Sequence, residues 1–116
     1  MPDVSDSDAQ KAMGRRLRQV REALELSQRE MAQVLGISTT GLSAWEGGRN
    51  QIDLIKLARA ATRYRFTTDW IAIGDMSGIR RDLAEKLERV AARSLGAVKR
   101  GRPTNRDGPG LSLAAQ

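Results

Sequence analysis

The 116-residue chain contains no cysteine and no histidine. Without thiols it has no disulfide framework, thiolate metal site or cysteine nucleophile. Without imidazole it has no Ser-His-Asp triad, histidine-ligated zinc or histidine acid/base pair. Its aromatic residues are only Trp45, Tyr64, Phe66 and Trp70. No apolar run approaches the roughly 18 residues a membrane span needs, and the acidic N-terminus does not read as a signal peptide. These absences imply a reducing cytoplasm, with no membrane partner, no metal and no cofactor. The remaining carboxylates and bases fall at helical spacing, without a Gly-rich phosphate loop or a paired-carboxylate motif. No catalytic residue is therefore assigned, and no enzyme is expected.

What the chain has is positive charge, unevenly placed. Twenty Lys+Arg stand against 14 Asp+Glu, a formal net charge of +6. Residues 1–10 carry Asp3, Asp6 and Asp8 and no base, whereas residues 94–116 carry Lys99, Arg100, Arg102 and Arg106 against Asp107. Sixteen of the 20 bases are Arg, the side chain suited to bidentate contact with phosphate and guanine. The charge points to a polyanionic partner.

Periodicity gives an all-α fold, with no alternating β pattern. Residues 1–7 read as a disordered acidic leader. Ser7 and Gln10 have capping-box spacing, and Met13, Leu17, Val20 and Leu24 form one face of a helix over about 8–25. Gly14 in its middle implies close approach by another backbone. Ser27-Gln28-Arg29-Glu30 is a capping box for a second helix, ended by Gly36. Ser38 caps a third over about 39–46, with Leu42 and Trp45 inward and Gly47-Gly48 as its stop. Two short helices across a Gly-bearing turn form a helix-turn-helix pattern. A fourth helix over about 53–64 has Leu54, Leu57, Ala58 and Ala61 as its apolar set. Thr68 and Asp69 start a fifth, carrying Trp70, Ile71 and Ile73. A sixth over about 80–93 has the stripe Ile79, Leu83, Leu87 and Val90, which seats it on its own domain or on a second copy. From Ser94 onward the chain reads as a basic flexible tail.

At this point the motifs resemble a family. Ser27-Gln28-Arg29-Glu30-Met31-Ala32-Gln33-Val34-Leu35-Gly36-Ile37-Ser38, followed by Leu42-Ser43-Ala44-Trp45-Glu46-Gly47-Gly48-Arg49, is similar to the Cro/phage-repressor (Xre) type of helix-turn-helix protein. Met13 to Arg21 resembles that family's first helix, and Thr67-Thr68-Asp69-Trp70-Ile71 with Gly74-Asp75 its fifth. The resemblance covers about residues 10–76 and implies a compact five-helix domain over 8–75; the additional helix at 76–93 and the tail at 94–116 lie beyond it. It also implies a bacterial or phage-encoded, nucleoid-associated transcriptional regulator that binds double-stranded DNA as a homodimer.

The resemblance assigns base reading to Thr39, Thr40, Gly41, Ser43 and Ala44, phosphate clamping to Gln28, and backbone contact to Arg49 and Asn50, with Lys56 as a further contact. It pairs Glu46 with Arg21. Side chains on this reading face are small, so bidentate readout is limited, and DNA shape and half-site spacing are expected to carry part of the specificity. Arg100-Gly101-Arg102 before Pro103 resembles an AT-hook core and gives an accessory contact. An antitoxin-like module, holding a partner protein through its C-terminal extension and autoregulating its operon, is the alternative.

Overall fold

The computed structural model describes residues 5–100, with side chains through Arg93. Among the described residues there are six helices and no strand: α1 Asp6–Ala23, α2 Gln28–Leu35, α3 Thr39–Glu46, α4 Leu54–Tyr64, α5 Thr68–Ile73 and α6 Arg81–Arg100. The fold is all-α.

Each of the first five helices is started by a side-chain oxygen that takes one of the orphan backbone donors of the first turn. Ser5, Ser27, Ser38, Asp53 and Thr67 do this for α1 to α5. At α2 the box is reciprocal: Ser27 Oγ accepts from the Glu30 N–H at 3.1 Å, and Glu30 Oε1 accepts from the Ser27 N–H at 2.8 Å. Gly36 and Gly74 end α2 and α5 in the left-handed region, at φ 74° and 75°.

Both ends of α1 differ from the sequence expectation. The cap is Ser5, not Ser7, so Ser5 to Ser7 belong to the helix start and not to a disordered leader. Choosing Ser5 brings Asp6 and Asp8 into the first turn, where the helix dipole favours carboxylates. Glu25 adopts φ 59°, and the helix stops at Ala23.

Helix α4 is rotated from the expected phase. Leu57, Ala60 and Ala61 are buried, while Leu54 is 66 % exposed and Ala58 lies on the surface. The Asp53 cap sets the starting register, and the inward stripe then falls at 57, 60 and 61. In the short α5 only Ile71 is fully buried, and Ile73 is 70 % exposed.

Helix α6 continues to Arg100, so residues 94–100 extend the helix that was expected to end at 93. Ala91, Ala92, Leu95 and Ala97 favour helix, and Gly96 costs only about 1 kcal/mol relative to Ala, too little to stop it before a proline. The expected flexible tail at 101–116 lies outside the described residues, as do residues 1–4.

Leu17, Val20, Met31, Leu35, Leu42, Leu57 and Ile71 form a single core at 2 % exposure or less. Ile79, Leu83, Leu87 and Val90 join it, so the stripe of α6 is buried on its own domain, against α1. The central contact is between α1 and α3. A Cβ at Gly14 would overlap the Trp45 carbonyl oxygen and lie 2.7 Å from that of Glu46.

Candidate nucleic-acid interface

The turn Gly36-Ile37-Ser38 fixes α3 against α2. Ile37 N–H donates to the Ala32 carbonyl at 3.0 Å, and Ser38 Oγ accepts from the Gly41 N–H at 3.0 Å. Helix α3 lies against both α1 and α2, with Leu42 at 0 % and Trp45 at 7 % exposure.

Thr39 and Thr40 are exposed at the N-terminal end of α3, and Gly41 and Ser43 are half-buried behind them. Ala44 does not share that surface. It is buried at 9 % exposure, because a helix wedged between two neighbours buries more than the Leu42–Trp45 stripe alone. A Cβ at Gly41 would sit 3.3 Å from Ser38 Oγ, so the small residue there serves the cap as well as the surface.

The C-terminal end of α3 is held by a buried ion pair. Arg21 Nε donates to Glu46 Oε2 at 2.7 Å and Arg21 Nη2 to Glu46 Oε1 at 3.2 Å, with side chains 13 % and 5 % exposed. This is the pair expected from the sequence. Arg21 Nη1 also donates to the Leu26 carbonyl at 3.0 Å, just before α2. Gln28 Nε2 donates to Glu46 Oε1 at 3.1 Å. Gln28 thus joins α2 to α3 through the carboxylate, a role the sequence reading did not assign. Three helices meet at one carboxylate, which fixes the angle at which α3 is presented.

Beyond α3, Arg49 and Asn50 are exposed. The Arg49 guanidinium folds back over α3's end, with Nη1 2.7 Å from where a Cβ on Gly47 would stand. Gln10 Nε2 donates to the Gly48 carbonyl at 2.9 Å, and a Cβ at Gly48 would lie 2.6 Å from Lys11 Cα, so α1 supports this loop. Lys56 is half-buried in the first turn of α4. Arg59, not singled out from the sequence, is exposed, with Nη1 3.4 Å from the Cβ position of Gly36. Of the accessory triplet, Arg100 is the last residue of α6, in helical rather than extended backbone; Gly101 and Arg102 lie outside the described residues.

A family model described as a helix-turn-helix domain matches residues 12–72, more than half of the chain. The chain belongs to the helix-turn-helix domain family. That membership agrees with the Cro/phage-repressor resemblance and makes the protein a DNA-binding regulator by class. No curated protein and no solved structure matches it. The matched span of this helix-turn-helix protein runs from α1 into α5, so α6 lies beyond it.

The two ends of α3 offer different chemistry. Thr39 and Thr40 present hydroxyls and methyls, able to hydrogen-bond base edges and touch the thymine methyl. Arg49 and Asn50 present donors suited to phosphate. No described helix is long and apolar enough to cross a membrane.

Proposed function

We propose that the protein is a sequence-specific regulator of transcription, a repressor of phage or mobile-element type, that binds double-stranded DNA as a homodimer with α3 in the major groove. The observation that carries this reading is the braced presentation of α3. Its exposed Thr39 and Thr40 stand at one end, while the Arg21–Glu46–Gln28 network holds the other and the exposed Arg49 and Asn50 follow it. In this motif the N-terminal residues of the second helix meet base edges, and flanking side chains grip phosphates. Gly41 and Ser43 complete the reading face.

Hydroxyl contacts alone discriminate modestly, so specificity is shared with half-site spacing and DNA shape. Glu46 holds Gln28 Nε2 at the start of α2 through one of its two N–H groups, and the second can donate to a phosphate. Arg100, Gly101 and Arg102 add a contact along the neighbouring minor groove. A chain ending at Lys99 should bind more weakly, with the greater loss on A·T-flanked sites. The antitoxin-like alternative would hold its partner through the C-terminal extension; the stripe of α6 through Val90 is occupied by the core, so that partner would use other surfaces of the extension.

Selection of bound sites from random DNA at two salt concentrations tests the proposal. The expected product is a pair of short, partly degenerate half-sites spaced by about one helical turn, roughly 34 Å. Arg49→Ala should lower the salt slope of log affinity by about one, the signature of a lost phosphate contact. Recovery of no enriched sequence would overturn sequence-specific binding.

A further inference from the structure

Among the described residues, the large hydrophobic side chains left exposed are Leu54, Ile55 and Ile73, at 66 %, 76 % and 70 %. They sit on two neighbouring helices, α4 and α5, joined by the short connection 65–67. Ile55 and Ile73 each share a helix face with one charged residue a turn away. On α4, Ile55 and Arg59 are four residues apart and both exposed; on α5, Asp69 and Ile73 are four apart and both exposed. The two faces therefore carry the same pattern with opposite sign. No ion pair among the described residues engages either charge.

The sign segregation extends along each element. After its Asp53 cap, α4 carries Lys56, Arg59 and Arg63 and no carboxylate, whereas α5 with its Gly74-Asp75 end carries Asp69 and Asp75 and no base. An acidic helix face beside a basic one, each with an exposed isoleucine, is complementary to itself under a two-fold rotation. A two-fold interface uses one patch twice and must be self-complementary in this way.

We infer that the α4–α5 face docks a second copy of this chain, with α4 of one protomer against α5 of its partner. Ile55 and Ile73 meet at the centre of each contact, and the charges of Arg59 and Asp69 meet beside them. This rests on the homodimeric part of the proposed function and gives it an interface. The loop 47–53 links α3 directly to α4, so docking at α4 sets the distance between the two reading helices.

Sedimentation equilibrium of the full chain without DNA tests the interface separately from DNA recognition. Wild type is expected to show a monomer–dimer equilibrium. Ile55→Glu, an acidic change that the first turn of a helix tolerates, should weaken it about tenfold or more while circular dichroism melting stays near wild type. Arg59→Glu alone sets a carboxylate against the partner's Asp69, and Asp69→Lys alone sets a base against the partner's Arg59, so each should dimerise about tenfold more weakly. Mixed one to one, they should form a heterodimer as stable as wild type, because both contacts of the pair are again opposite in sign.

A wild-type chain that stays monomeric to its solubility limit overturns the inference, leaving the patch to a different protein. So do charge variants that self-associate like wild type, or a mixture that fails to assemble. If wild type dimerises as described yet selects no DNA sequence, the interface stands and the DNA-reading proposal falls.

Discussion

At Gly14 the missing side chain lets α1 lie directly on the last turn of α3. Alanine there would gain about 1 kcal/mol of helix propensity. Its Cβ would overlap the Trp45 carbonyl, a backbone atom with no rotamer to escape into. Overpacking of that kind costs about 1–3 kcal/mol, so the loss should match or exceed the gain. Gly14→Ala is expected to lower the thermal midpoint, and a rise would mean that α1 and α3 separate easily. The Arg21–Glu46 pair gives a second test. Glu46→Ala leaves a nearly buried guanidinium and the Gln28 amide without their acceptor, and should destabilise by about 3–5 kcal/mol in denaturant titrations. Replacing both partners, Arg21→Met with Glu46→Leu, should recover most of that, because no charge is left buried alone. The double variant should nevertheless bind DNA less well, since Gln28 also loses the carboxylate that holds it.

Among the elements, the starts of α2 and α6 and the turn between α5 and α6 hold carboxyls that link stability to acid. The Ser27 N–H and hydroxyl hold the Glu30 carboxyl below the ordinary value of 4.5; in the same direction, Ser77 acts on Asp75 and Arg80 on Asp82. A carboxyl whose pKa is depressed by folding contributes stability above its unfolded pKa and loses it as pH falls through the folded one. With no histidine in the chain, thermal midpoints should stay level between about pH 6 and pH 8 and decline below about pH 4.5. Ser27→Ala should cost about 1 kcal/mol and make that decline shallower. These starts also explain what could be read from the sequence. The bounds of α2 and α3 follow from Ser27, Gly36, Ser38 and Gly47, which act within four residues. The start of α1 was ambiguous because Ser5 and Ser7 each stand three residues before a possible capping partner, Asp8 and Gln10. The face of α4 and the burial of Ala44 depend on neighbours far along the chain. So do the bonds from Gln10 to Gly48 and from Arg16 to the Ile71 carbonyl, the latter 3.0 Å long across 55 residues.

For the whole molecule, the family match ends at residue 72, yet the core does not end there. Leu83, Leu87 and Val90 of α6 are buried to 6 %, 1 % and 3 % against the rest of the protein, α1 above all. Each such side chain contributes about 1.5–3 kcal/mol, so the three together are worth roughly 5–9 kcal/mol. That is comparable with the whole stability of a small domain, about 5–15 kcal/mol. A chain ending at Arg80 should therefore lack a cooperative thermal transition, even though every residue of the matched span is present. Helix α1 also carries Gly14 and Arg21, which hold α3, so DNA binding should disappear with the fold. A smaller change separates support from recognition. Leu87→Ala should lower stability by about 2–5 kcal/mol. Well below its midpoint it should bind the selected site with wild-type affinity and salt slope, because Leu87 packs in the core, on a helix set against α1, and is none of the proposed DNA contacts. A Leu87→Ala chain that is fully folded by circular dichroism but binds DNA several-fold more weakly would show instead that the packing of α6 on the core helps to present α3.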